Sequence, residues 1–464
     1  MATATINRLI ALFQQSLGAL GSTPPMADIE QLGMVVHRCM GAKTRAYHTT
    51  SHVFDLCEGA NPVQTLAALF HDTVYYQLDG GLPGALVPVL SDVATLTNGA
   101  LILSDPTEHS SPASTPTGID QLAQVVHIFG FRFGQALPAF GGMNEFLSAI
   151  SAVRLLAPYL PPQTLLHIAA CIEATVAFRP NAADGRSTLD QLHERLCQLL
   201  QESPYLQDAA NAHRAALAMV ADAAALANRD VGGFAEADPG VFLSQTWLLI
   251  EESNKPLAAA GLYTLQEYRQ ALQRMDGFLA HLNPAAVFQQ FQGKPSLEQH
   301  ADLTRKAHAN IAFSVHYLRA KLLPMGVLEA LAELTGGDAP ISMFLGDFAT
   351  AVTPSPLPRP DTATVPTDVD AALLQVLAHG RARSSTTDLT ASPTAAFIYQ
   401  ELGESGLHVQ WDKTCQYFGG SLQALDFLRQ CPPRILVPLL ESSADTALSR
   451  RERLYQLRST LFAA

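Results

Sequence analysis

Residues 45–58 read RAYHTTSHVFDLCE and residues 66–76 read LAALFHDTVYY. The first stretch sets His48 and His52 four apart, a spacing that stacks side chains on one helical face about 6 Å from each other, and Asp55 follows three residues later on that face. The second is an apolar helical run that ends in an imidazole and a carboxylate, His71 and Asp72. Asp and His are seldom fully buried without a partner. A divalent cation satisfies both, through one imidazole nitrogen and one carboxylate oxygen. A surface pair or a hydrogen-bonded core histidine would also satisfy them, and these letters alone leave the choice open.

Outward from this stretch, apolar residues keep recurring at three and four, as in ATINRLIALFQQSLGAL (4–20), TLLHIAACIEATVAF (164–178) and ANAHRAALAMVADAAALA (210–227), while alternating strand patterns are scarce. The expected fold class is all-α. Three stretches interrupt the periodicity. Residues 95–118 and 179–188 are expected to be loops, and 353–368, rich in Pro, Thr and Asp, an extended linker. The expected organisation is a helix over 1–27, a metal-binding helical domain over 28–240, a helical extension packed on it over 241–350, a linker at 351–367 and a C-terminal helical accessory domain over 368–464. The last is a candidate for homo-oligomer formation.

The chain has 464 residues, 48% hydrophobic and 15% charged, enough to bury a large core and to support more than one domain. Its net charge of −13 argues against general nucleic-acid binding, which needs clustered Lys and Arg. No run of about twenty apolar residues suggests a membrane partner, and nothing at the N-terminus looks like a secretory signal, so a cytoplasmic location is expected. Cys39, Cys57, Cys171, Cys197, Cys415 and Cys431 show no CxxC spacing and are read as free thiols. No Walker loop or serine nucleophile elbow is present.

The segments YHTTSHVFDL and LAALFHD together resemble the start of the HD superfamily of metal-dependent phosphohydrolases. Tyr47, His48, His52 and Asp55 match the Y-H-x-x-x-H-x-x-D spacing of cyclic-nucleotide phosphodiesterases, and FHDTVYY is closer to small bacterial predicted HD phosphohydrolases. A later aspartate completes the metal site in that superfamily, and Asp230, in AALANRDVGGF, stands in a similar setting. The resemblance implies an HD-type bundle in which His52, His71, Asp72 and Asp230 hold one divalent ion (Mn, Mg, Fe, Ni or Zn), with His48 as general acid and Asp55 orienting a neighbouring histidine. It implies hydrolysis of a nucleotide or other small phosphate ester by metal-activated water.

Departures from the family pattern favour a single ion. Tyr75 stands where a phosphodiesterase-like site has a histidine three residues beyond the aspartate, and Phe178 stands where a later family helix often carries one. Glu173, Thr175 and His167 are the polar substitutes on that later segment. A two-iron oxygenase would need two further histidines, for which His109 and His127 qualify by number alone. Tyr47, Arg45, Tyr75, Glu173 and Thr175 are the expected substrate contacts, with Lys43, Arg179 and Arg186 as further phosphate-binding candidates because guanidinium forks match phosphate oxygens. Glu251, Glu252 and Asn254 either line the cavity or cap a turn. His213, His281, His300, His308 and His316 are read as structural. The competing function is a non-catalytic HD-fold nucleotide-binding regulator or protein-interaction module, suggested by Tyr75, Phe178 and the large C-terminal addition.

Overall fold

The computed structural model describes residues 4–105, 116–202, 208–346, 360, 365–383, 388 and 390–463, with no side chains for 116–120. His109 and most of 351–367 lie outside the described residues. The fold is all-α, with one two-stranded hairpin among the described residues. Among the described residues no helix is long and apolar enough to cross a membrane.

The chain forms two compact units. The first comprises Met1–Ala235 and Asn283–Arg305, the second Glu236–Leu282 and Lys306–Ala464. The first unit contains α1 (Thr5–Ala19), α2 (Met26–Met40), α3 (Thr50–Cys57), α4 (Pro62–Phe70), the short turns α5 (Tyr76–Asp79) and α6 (Val87–Leu90), strands β1 (Ala94–Thr97) and β2 (Ala100–Leu103), then α7 (Pro116–Phe129), α8 (Met143–Leu156), α9 (Pro162–Ala174), α10 (Thr188–Glu202) and α11 (Ala209–Asp230).

Helix α4 is the axis of this unit. Asn61 and Gln64 form a reciprocal capping box and Pro62 occupies the first turn, so the helix has a defined start. Every residue from Val63 to Phe70 is buried. A helix apolar on all sides must be enclosed by others, and α4 packs against α1, α3, α8, α9 and α11. Leu66, Leu69 and Phe70 are fully buried, each side chain contributing about 1.5–3 kcal/mol through removal from water. That packing fixes the end of α4, where His71 and Asp72 emerge.

The stretch at 95–118, expected as a loop, opens instead as a hairpin. Asn98 and Gly99 both adopt positive φ, 51° and 81°. A two-residue turn of that hand matches the twist of paired strands, so Ala94–Thr97 and Ala100–Leu103 zip in antiparallel register. The returning segment Asn283–Arg305 is held to α11 by reciprocal hydrogen bonds between Asn228 and Gln289, both 2.7 Å.

The second unit is helical throughout its described part, from Pro239–Ser253 and Leu265–His281 to Arg451–Leu461. Buried Arg381 and Lys321 share the Asp388 carboxylate at 3.3 and 3.2 Å, and both cations lie over the Trp247 ring. Glu251, Glu252 and Asn254 belong to this unit, where the Asn254 side chain donates to the Ile250 carbonyl, within the last turn of Pro239–Ser253.

Candidate metal centre

His71 is the C-cap residue of α4 and Asp72 follows it. The His71 Nδ1 lies 2.8 Å from the Ala68 carbonyl oxygen, which can only accept, so Nδ1 carries the proton and Nε2 faces the other way. Asp230 is the last residue of α11. Its approach is fixed by the preceding Arg229, which donates to the Glu58 carbonyl and to Gln64 Oε1 at 3.1 and 2.8 Å, while Gln64 Nε2 donates to the Asp222 carbonyl at 2.8 Å. The capping glutamine of α4 therefore also ties α4 to α11.

Four side chains converge as a result. His71 Nε2 lies 2.9 Å from Asp72 Oδ2 and 3.5 Å from Asp230 Oδ1. His52 Nε2 lies 3.0 Å from Asp230 Oδ1 and 3.8 Å from Asp72 Oδ2. His52, His71 and Asp72 offer ligand atoms that all fall within 4.8 Å of one another. Although close together, His71 Nε2 and Asp72 Oδ2 are buried and neither makes a hydrogen bond of acceptable geometry. Buried polar atoms are normally satisfied, so a cation bound between these two atoms, in place of a proton on Nε2, would supply the partner both lack. The set of two imidazoles and two carboxylates suits Mn, Fe, Ni, Zn or Mg, leaving room for water.

The electrostatics express the same crowding. Burial alone would lower the His71 pKa, but the Asp72 carboxylate, joined by Asp230, holds it well above its usual value. Burial opposes ionisation of Asp72, yet His71, with His48 and His52 behind it, keeps it far below the ordinary carboxylate range. Asp230 is drawn down to about 2, against burial, by His52 and His71.

His48 stays close to the cluster by a different route from the expected one. Helix α3 begins at Thr50, and His48 sits in the bend before it rather than one turn below His52. The β-branched pair Thr49–Thr50 delays the helix, Thr49 being extended at ψ 173°. Its ring nevertheless lies edge-on to His52, Tyr47 and Tyr75, with centroids 6.1, 5.0 and 4.9 Å away. Tyr47 also packs on His52 at 5.1 Å. These two tyrosines and His48 are half-buried and line one side of the centre.

Other expected site residues stand elsewhere. Asp55 is exposed and makes no hydrogen bond to the histidines, because α3 turns Val53, Phe54 and Leu56 into the core and leaves Asp55 to solvent. Arg45 has no free fork for a phosphate: its side chain is fully buried, gripping both Asp79 oxygens at 3.2 and 2.7 Å and donating to the Asp72 carbonyl at 2.6 Å. Glu173 is buried between Arg179 and Arg195, at 2.7 and 2.8 Å, and Thr175 caps α9 by donating to the Ile172 carbonyl. Phe178 lies beyond that helix at φ 60°, its ring against Phe234. His167 pairs with Asp222 at 3.2 Å, and Arg186 with Asp184 and Glu194.

Glu145, in the first turn of α8, is a residue that sequence reasoning missed. Burial, despite its own backbone hydrogen bond, and the nearby Asp72 and Asp230 charges push its pKa up to about 7. No local motif marks it, since an acid in the first turn of a helix is ordinary. Compared with protein-family models, curated proteins and solved structures, the chain matches none.

Proposed function

We propose that the first unit is an HD-type metal-dependent phosphohydrolase acting on a nucleotide or another small phosphate ester, in the cytoplasm. The observation that carries this reading is the convergence of His52, His71, Asp72 and Asp230, with His71 Nε2 and Asp72 Oδ2 buried and unsatisfied. A divalent cation held by these four residues would lower the pKa of a coordinated water and polarise a phosphoryl oxygen.

The chain's own residues supply the rest. His48, beside the ligands but outside their set, is placed to donate a proton to the departing alkoxide. Glu145, a carboxyl near enough to feel the Asp72 and Asp230 charges, is assigned the role of taking a proton from the attacking water. Tyr47 and Tyr75 offer rings and hydroxyls to the ester's organic part. Arg45 acts on the site through Asp72, not on substrate.

Elemental analysis of the untreated protein, read beside a panel of phosphomonoesters and phosphodiesters, tests the reading. Near-stoichiometric metal with hydrolysis of at least one ester, both lost in Asp72→Ala, is the expected result. Metal content unchanged in Asp72→Ala overturns the ligand assignment. A metal-loaded protein inert to every ester favours the nucleotide-binding regulator, to which the engaged Arg45 and Glu173 would equally belong.

A further inference from the structure

A second cluster of ligating side chains lies in the same unit. Helix α10 presents His193 and Cys197, four apart on one face, and α11, packed against it, presents His213 from its early turns. Cys197 Sγ is 3.4 Å from His193 Nε2 and 3.9 Å from His213 Nδ1, and all three ligand atoms fall within 4.8 Å of one another. The two imidazole rings meet edge to face at 4.9 Å. In a tetrahedral site with metal–sulfur and metal–nitrogen bonds of ordinary length, sulfur and nitrogen ligands sit about 3.5 Å apart. The observed spacings bracket that value.

From this arrangement we infer that His193, Cys197 and His213 form a second metal site, taking a borderline-soft divalent ion of the zinc class with water in the fourth position. Thiolate plus two imidazoles selects such ions over Mg or Ca, which prefer oxygen. His193 and Cys197 are half-buried and His213 exposed, so an ion and its water can reach the trio. Cys197 would bind such an ion as the thiolate, releasing its proton to solvent and giving a sulfur lone pair to the metal. The bound ion would pin the middle of α10 to the start of α11, the helix whose far end carries Asp230.

The four-residue centre contains no sulfur, which separates the two sites spectroscopically. Reduced, chelator-treated full-length protein is titrated with Co2+. The expected result is a thiolate-to-cobalt charge-transfer band in the near ultraviolet with intense tetrahedral visible bands, displaced by Zn2+. Both features should vanish in Cys197→Ser, weaken at least about tenfold in apparent affinity in His213→Ala, and persist in Asp72→Ala. His213 is exposed, so that variant reads the site even if Cys197→Ser fails to fold. Absence of the band in the unaltered chain, or its survival in either Cys197→Ser or His213→Ala at unchanged affinity, overturns the proposal. Loss of phosphohydrolase activity in any arm bears on the first site alone.

Discussion

Arg45 Nη1 donates to the backbone carbonyl of Asp72 over 2.6 Å while the same guanidinium grips the Asp79 carboxylate with two further bonds. One side chain thereby locks the Asp72–Thr73 peptide and holds α5 beside it. Breaking a buried ion pair from one side costs roughly 3–5 kcal/mol. Arg45→Ala is accordingly expected to lower the melting temperature by many degrees, and Arg45→Lys, which keeps charge but loses the fork, to weaken metal retention about 10–100-fold. Calorimetry and a competing chelator check the two effects separately.

Asp55 gives the converse expectation. Exposed and away from the four converging side chains, its removal in Asp55→Ala should change stability by no more than about 0.5 kcal/mol. Metal content and turnover should be unaltered. A large loss of turnover would restore Asp55 to the site.

Titration of metal affinity follows from His71. Its raised pKa means that a cation must displace a proton from Nε2 near neutrality, so affinity should fall about tenfold per pH unit below that pKa. Competition with a chelator of known protonation across the neutral range measures the slope, which should flatten in His71→Gln along with overall affinity.

Stability of chelator-stripped protein should follow the same charges. A raised imidazole pKa stabilises the fold fully below the unfolded value of about 6.5 and loses that contribution as pH climbs through the folded value. The depressed Asp72 and Asp230 act oppositely, contributing above about 3.9 and losing it as acid approaches their folded values, about 2 for Asp230. Melting temperatures should therefore peak between these limits, and His71→Gln should remove the alkaline decline.

Glu145→Gln tests the role of the hidden acid. Burial and the Asp72 and Asp230 charges raise the Glu145 pKa in the metal-free protein and a bound cation would draw it back down, so the acid limb of the kcat profile should move when Glu145 is replaced. Its amide variant should lose about 10²-fold or more in kcat while retaining metal. Parallel elemental analysis distinguishes lost proton transfer from lost ligation.

The readable part of this chain was local. Helical periodicity carried the fold class, and the letters around 45–76 and 230 marked the four side chains that the fold brings together. What escaped depended on geometry between elements. His48 kept its neighbourhood despite lying outside α3, since a bend and a helical turn both bring it near His52. Arg45 looked like a phosphate fork, yet its partner is Asp79, thirty-four residues on. Glu145 bears no spacing that names it, because its neighbours arrive from other elements, and His193 and Cys197, four apart on α10, become a trio only where α11 brings His213 beside them. The hairpin was signalled by Asn98-Gly99, a dipeptide whose left-handed preference outweighs the polar look of the surrounding letters.

Helix α4 is clasped on every flank, whereas α3 is eight residues long and turns Ser51 and Asp55 to solvent. Two of the four proposed ligands, His71 and Asp72, thus hang from the enclosed α4 and a third, Asp230, from the end of the long α11, while only His52 sits on the short α3. Were the centre to hold a cation, an ion of larger radius would be taken up first at His52 on its short helix, while the bearing of His71 and Asp72 would stay constant.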